Sequence, residues 1–220
     1  MRRSPAALPL GLIICLIACL SAGLLAPHAA GAADSERQVA PFIAIHAKGA
    51  FAMTVEVGRP QSLRISGEER FLAAVQTTVV DNELRITLPE KTYTGTQKDP
   101  RITISVPSLS RVKVEGAGET VLHQLRGERV DIGYLGAGRL AADGKVKYLR
   151  LNARGVGEVD AGQLQAERVD VNFEGLGNVS VRASVLLNAV AKGIGNLTYY
   201  GHPPTVNQSV SGIGNVKAGD

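Results

Sequence analysis

Apolar and polar residues alternate with a period of two along most of the chain after residue 39. That period marks half-buried β-strands, because successive side chains on a strand point to opposite faces. In the first part Phe51, Met53, Val55 and Val57 alternate, as do Leu63 with Ile65, Leu84 and Ile86 with Leu88, and Ile102 and Ile104 with Val106. Asp81-Asn82 between two such runs predicts a hairpin turn, since both residues tolerate left-handed backbone. Pro89 to Pro100 is polar and predicts a long exposed loop.

From residue 111 the alternation acquires a second, longer period. Gly-x-Gly recurs at Gly116/Gly118, Gly136/Gly138, Gly155/Gly157, Gly175/Gly177, Gly193/Gly195 and Gly212/Gly214, in steps of 18 to 20 residues. Aligned on the first glycine, the copies form apolar columns. Val130, Leu149, Val169, Leu187 and Val206 stand six before it; Val112, Ile132, Leu151, Val171 and Ala189 stand four before it, with Gln208 breaking the column. Val114, Tyr134, Ala153, Phe173, Ala191 and Val210 stand two before it. A second alternation follows the glycines, through Thr120, Leu140, Val159, Val179, Leu197 and Val216, then Leu122, Ala142, Ala161, Val181, Tyr199 and Ala218. Glu128-Arg129-Val130-Asp131-Ile132 also recurs two copies later as Glu167-Arg168-Val169-Asp170-Val171.

A fixed period near twenty predicts stacked copies, each burying a face that it cannot bury alone. The expected fold is all-β, a β-solenoid (single-stranded β-helix) with repeats of about 19 residues at 111–220. A strand-rich part at 39–110 is expected to cap or continue it. Val156, Leu176 and Ile194, each inside a glycine pair, are expected directly above one another among the inward aliphatics. The twelve glycines are expected to form the turns of the repeat, letting the strand switch phase at a corner. An ordinary β-sandwich also has frequent short strands, but it does not explain evenly spaced glycine pairs.

These glycine pairs, ending in Gly193-Ile194-Gly195-Asn196 and Gly212-Ile213-Gly214-Asn215, resemble the bacterial GIN-domain family of "putative auto-transporter adhesin" heads. Tyr200-Gly201-His202-Pro203 leading into Val210-Ser211-Gly212-Ile213-Gly214 is similar to the family's final repeat. The resemblance covers roughly residues 42–219. It implies a β-helical fold and a cell-envelope location, and it carries over no functional residues. Glu119, Arg139 and Glu158 depart from the Asn that follows the later pairs.

The first 33 residues read as a signal peptide: Arg2-Arg3, an apolar run, then Ala30-Gly31-Ala32 as a cleavage signal. Two alternatives stay open, an uncleaved anchor and a lipoprotein tethered through Cys19 of Leu16-Ile17-Ala18-Cys19. Cys15 and Cys19 are the only cysteines, so the mature chain is expected to have neither disulfide nor thiol chemistry. The formal charge of +4 falls to +2 without Arg2 and Arg3, which gives nucleic acid no broad basic surface.

Candidate chemistry is thin. His46, His123 and His202 are scattered, and no metalloprotease, nucleophile-elbow or phosphate-loop pattern is present. The glycine pairs precede strands, whereas phosphate loops need a helix amino terminus. The residues after them (Glu119, Arg139, Glu158, Asn178, Asn196, Asn215) are too mixed in charge for a repeated calcium site. The Asn residues read as stacked amides. Asp131 with Asp170, and Glu128 with Glu167, share columns two copies apart, about 9.6 Å, with Arg150 between the aspartates. That spacing is too wide for a retaining glycosidase and marginal for an inverting one. Tyr93, Tyr148, Tyr199 and Tyr200 are the candidate exposed rings.

The expected function is therefore a non-catalytic, exported scaffold or surface-recognition module without cofactor or metal. The expected partners are an envelope or surface protein or a polysaccharide, or a second copy through the carboxy-terminal edge. The alternatives are a polysaccharide lyase or hydrolase and an envelope assembly factor. An open, ungrooved surface around Asp131, Arg150 and Asp170 would count against an enzyme.

Overall fold

The computed structural model describes residues 33–89 and 100–219. The leader up to residue 32 with its Cys19, Tyr93 and nearly all of the expected loop at 89–100 lie outside them. The described chain is all-β apart from one turn and a half of helix. In chain order its elements are β1 (Ala33–Glu36), β2 (Ala44–Ala50), β3 (Ala52–Val57), β4 (Ser62–Gly67), α1 (Glu69–Ala74), β5 (Gln76–Val80), β6 (Glu83–Thr87), β7 (Arg101–Val106), β8 (Arg111–Tyr200) and β9 (Thr205–Ala218). They pair in the order β1-β4-β7-β3-β8-β2-β6-β5, with β9 on β8.

The alternating runs of the first part become strands with one buried face. Leu63, Ile65, Leu84, Ile86, Ile102, Ile104 and Val106 are all fully buried. β5 and β6 form the hairpin expected at Asp81-Asn82, which have φ of 51° and 58°. Two left-handed residues in a row make the turn whose twist matches that of the strands. β2 runs parallel to both β6 and the start of β8, with Gly49 opposite Gly116 and Ala50 opposite Ala117. β3 likewise runs parallel between β7 and β8. Beyond them β5, β4 and β1 are antiparallel. Arg37 ties this end together: its guanidinium donates to the carbonyls of Val75 and Leu72, both at 2.7 Å, and to the Thr77 hydroxyl at 3.0 Å.

β8 is extended for 90 residues. Straight, it would reach roughly 300 Å at the usual rise per residue. Instead, glycines 18 to 20 residues apart along it meet backbone to backbone. A Cβ placed on Gly155 would lie 2.0 Å from the carbonyl oxygen of Gly136, and one on Gly175 would lie 1.9 Å from that of Gly155. The second glycines stack in the same way. A Cβ on Gly118 would meet the carbonyl of Phe51, one on Gly138 that of Gly118, one on Gly157 that of Gly138, and one on Gly177 that of Gly157. β9 continues the series, with Gly193 opposite Gly212, Ile194 opposite Ile213 and Gly195 opposite Gly214. One continuous core runs from Phe42 to Leu197, and the predicted columns together with the alternating runs of the first part supply most of it.

Three expectations about the glycine pairs need correction. First, they are not turns that separate strands. Gly116 and Gly118, Gly136 and Gly138, Gly155 and Gly157, Gly175 and Gly177, and Gly193 and Gly195 all lie within β8, and Gly212 and Gly214 within β9. Where β9 pairs with β8, the register runs unbroken through the corner from Lys192 opposite Ser211 to Asn196 opposite Asn215, so the strand bends there without ending. Gly118, Gly138, Gly193 and Gly212 are also open to solvent, which makes the corner a surface edge rather than part of the core lining.

Second, the residue between the glycines points outward: Val156, Leu176 and Ile194 are 52%, 47% and 51% exposed. Third, the strand does not switch phase there. Phe173 and Val179 are both buried with Glu174, Leu176 and Asn178 exposed between them, so Gly175 and Gly177 occupy the inward-phase positions. Gly136 and Gly138 do the same between buried Tyr134 and Leu140, and Gly116 and Gly118 between buried Val114 and Thr120. An inward side chain at the corner would collide with the backbone of the copy before, and glycine avoids that collision. Alternation changes phase elsewhere, between Ala161 and Leu164 and again between Ala166 and Val169. Such changes bring in a further inward set, including Leu125 and Leu164, both buried.

Candidate recognition surface

Parallel copies in register place equivalent outward side chains about 4.8 Å apart, so any surface chemistry here comes as ladders. The richest ladder lies on the face that precedes the glycine corner. The guanidinium groups of Arg129 and Arg168 lie 5.0 and 5.1 Å from the centre of the Tyr148 ring, one from each neighbouring copy. Arg129 pairs with Asp131 at 2.9 Å and Arg168 with Asp170 at 3.2 Å. The Tyr148 hydroxyl donates to Asp170, the Asn188 amide donates to it at 2.6 Å, and Asn207 donates to Asn188 at 2.9 Å. Burial pushes the Asp170 carboxyl up, but Tyr148, Asn188 and Arg168 outweigh it and hold the group below the usual aspartate value. The same hydrogen bond to Asp170 raises the Tyr148 phenol, with burial adding to it.

Three of the four sequence-predicted acids are neutralised separately. Asp131 and Asp170 pair with arginines two residues before them, not with Arg150. Glu128 pairs with Lys147 at 2.9 Å, and Glu167 lines a separate open depression of about 390 Å³ with Lys145, Gln165, Arg182 and Ser184. The tyrosines are also occupied. Tyr148 has an arginine on each side, Arg182 lies 5.3 Å from the centre of Tyr200, and Tyr199 packs against the core. The three histidines stay apart: His123 meets Asp143 at 2.6 Å, His46 meets Glu115 at 3.2 Å, and His202 has a left-handed backbone. Among the described residues no cluster of His, Cys, Asp and Glu could hold a metal ion. The amides after the glycine pairs stack as expected where Asn196 donates to Asn178 at 3.4 Å.

The corner itself carries the feature that the sequence reading placed inside. Val156, Leu176, Ile194 and Ile213 form a ridge of half- to three-quarters-exposed aliphatics, ending at Ile213 with 73% exposure. The signal was present in the sequence. The middle residue of each pair falls out of step with the columns before and after it, which is where an outward residue falls. Eleven of the twelve glycines of the pairs have φ between +123° and +159°, where a side chain is strained as well as crowded.

Residues 41–203 match the family described as "Putative auto-transporter adhesin, head GIN domain". The chain belongs to this family. Solved structures place the GIN domain among similar folds. A "putative adhesin" from Bacteroides fragilis NCTC 9343 aligns with TM-score 0.69 at 24% identity, over 85% of this chain and 96% of that one. A "putative lipid binding protein" from Parabacteroides distasonis ATCC 8503 aligns at 0.49 and 18% identity, over 86% and 97%. A "putative adhesin" from Parabacteroides merdae ATCC 43184 aligns at 0.46 and 16%, over 87% and 98%. No curated protein matches the chain. The first likeness shows that the GIN domain here shares its fold with the Bacteroides protein. Family membership points to a surface or exported protein.

Proposed function

We propose that this chain is an exported, non-catalytic recognition module built as a single-stranded β-solenoid. Residues 1–33 serve as its export leader, 39–110 cap and begin the coil stack, and 111–220 form the repeats, with the glycine pairs as their tight corners. The stacked glycine carbonyls and the parallel register of β8 with β9 support the coil reading. The adhesin description of the family supports a role at the cell surface. The leader is removed by cleavage before Ala33; the alternatives are a lipid on Cys19 and an uncleaved anchor. The mass of the mature amino terminus distinguishes the three.

One observation carries the non-catalytic reading. Asp131, Asp170 and Glu128, which could act together, are instead each held by a neighbouring cation, with Tyr148 and Asn188 also on Asp170. A general acid or base must keep a free valence aimed at substrate, and sugar chemistry needs two carboxyls facing one bond. The covered rings of Tyr148 and Tyr200 favour a protein partner over a polysaccharide, since sugars stack on open aromatic faces. The aliphatic ridge offers such a partner an apolar strip with polar borders. The test incubates the purified chain with intact and protease-stripped envelope fractions. Saturable binding to the intact fraction, lost after protease treatment and weakened by Leu176→Asp with Ile194→Asp, is the expected outcome. Release of new reducing ends or unsaturated sugars from the stripped fraction would overturn it in favour of an enzyme. Equal binding to both fractions would assign the partner to the polysaccharide.

A further inference from the structure

The two ends of the stack differ. At the amino-terminal end the last strands are short and antiparallel, Phe71 of α1 is fully buried, and Arg37 bridges Leu72, Val75 and Thr77. At the other end β9 pairs with β8 along one edge only, among the described residues. β9 is 14 residues long, contains no proline, and has Lys217 as its one charged residue. Native edge strands are usually protected by charge, proline, a bulge or brevity, and β9 has none of these except the terminal lysine.

Its inward row is also unusual. Val206 is half-buried, Val210 is 44% exposed, and between them stands exposed Gln208, where earlier copies carry Val112, Ile132, Leu151, Val171 and Ala189. An amide at the end of an aliphatic column is out of place in a core that continues, and it fits a core that ends at a symmetric junction.

We propose that β9 is the contact of a closed two-fold dimer, with Gln208 on the axis. A two-fold makes the pairing antiparallel. Centred on Gln208, it sets Val206 of one copy opposite Val210 of the other on the same face, with the two Gln208 amides between these pairs. A primary amide both donates and accepts, so it is its own complement. Asn207 then faces Ser209 on the outer side, and the two Lys217 side chains fall at opposite ends, where they do not repel. Direct cross-strand pairs of this kind are the unit of sheet stabilisation. The occupant is a second copy rather than a continuing fibre because the interface must be self-complementary. The opposite end offers short antiparallel strands closed by Arg37, not a parallel coil for β9 to extend. The single amide within an apolar row fixes the register, as an isolated buried polar residue does in paired helices.

The experiment uses the complete coding sequence, leader included, and the form that the host matures. Sedimentation velocity is expected to give twice the chain mass, falling to the monomer on dilution. Gln208→Lys brings two like charges together on the axis and is expected to weaken the dimer at least tenfold, with an unchanged circular-dichroism spectrum and melting curve of the monomer. Gln208→Cys is expected to cross-link into a dimer under mild oxidation, whereas Arg150→Cys on the outer face and the unmodified chain are not. A chain that stays monomeric at all concentrations, with Gln208→Cys uncross-linked, overturns the proposal. So does a dimer indifferent to Gln208→Lys, or a different polypeptide found protecting β9. None of these outcomes depends on the partner bound by the aliphatic ridge.

Discussion

A glycine can be required because of its own backbone angle or because of what lies beside it, and this chain separates the two causes. Gly155 has φ of +126°, and an added Cβ would lie 2.0 Å from the Gly136 carbonyl oxygen; Gly127 has φ of +135° but nothing within 4 Å; Gly133 lacks positive φ and would make only ordinary contacts, the nearest the Lys113 side chain at 3.5 Å. Alanine at Gly133 is therefore expected to be neutral or to stabilise by up to about 1 kcal/mol, through the reduced entropy of the unfolded chain. Alanine at Gly127 should cost about 1–2 kcal/mol from strain alone. Alanine at Gly155 should cost about 4 kcal/mol or more, since strain and a backbone collision add. Urea denaturation of the three variants checks the order, and equal losses at Gly127 and Gly155 would refute the stacking argument. Asp170 gives a second test at this scale. Its folded pKa is depressed, so its contribution is fully present above the unfolded value of about 3.9 and is lost as pH falls through the lower folded value. Asp170→Asn should destabilise the chain at neutral pH by about 1 kcal/mol. Below pH about 4 its stability curve should be flatter than that of the unmodified chain. Parallel curves would show that Tyr148, Asn188 and Arg168 do not hold the charge.

Each copy places a side chain beside its counterpart in the next, so element-scale packing is decided by columns rather than by single sites. The column two before the first glycine reads Tyr134, Ala153, Phe173, Ala191, and the first three are buried. A small residue between two rings gives each ring room that two consecutive rings would not have. Ala153→Leu should cost about 1–3 kcal/mol by overpacking, and Phe173→Ala about 3–5 kcal/mol through the cavity left behind. The Tyr134 hydroxyl is buried without a hydrogen-bond partner among the described residues, and burial raises its pKa. Tyr134→Phe should then be neutral or stabilising by about 1 kcal/mol; a loss larger than that, measured by thermal unfolding, would mean that the hydroxyl has found a partner such as water. The alternation of two makes these columns legible in the sequence, and the glycine spacing aligns them vertically. The facing of the corner was harder to read. Val156 and Leu176 are as apolar as the core residues, so composition sent them inward, and only their phase relative to Ala153 with Val159 and Phe173 with Val179 placed them outside. Leu125 and Leu164 escaped because the phase changes before them carry no regular glycine signal, and Val146 escaped because it lies beyond the predicted columns, in phase with Ala142. The candidate site was legible as a list of charges in columns. Which charges pair, Arg168 with Asp170 rather than Arg150 with either aspartate, depends on side-chain reach within a copy, which periodicity does not record.

At the scale of the whole molecule, stability in a stack is a sum of copies and of the contacts between neighbours, so the ends govern how it opens. The amino-terminal end is closed by a single cation. Arg37 reaches three acceptors on the last turn of α1 and on β5, and burial lowers its pKa because no carboxylate compensates for the lost water. Replacing it by alanine leaves the Leu72 and Val75 carbonyls and the Thr77 hydroxyl short of a donor, at a cost of about 2–3 kcal/mol. Arg37→Lys keeps the charge but cannot span three acceptors with a planar fork, and should recover less than half of that loss. The damage should stay local, because the central copies keep both neighbours. Amide exchange in Arg37→Ala is expected to accelerate through β5, α1 and β1 while β8 from residue 130 to 190 keeps its protection. The loosened end should also expose the edges of β1 and β5, giving concentration-dependent light scattering that the unmodified chain lacks. Uniformly faster exchange along the entire stack would mean instead that the copies unfold as one unit and that the cap and the repeats are not separable.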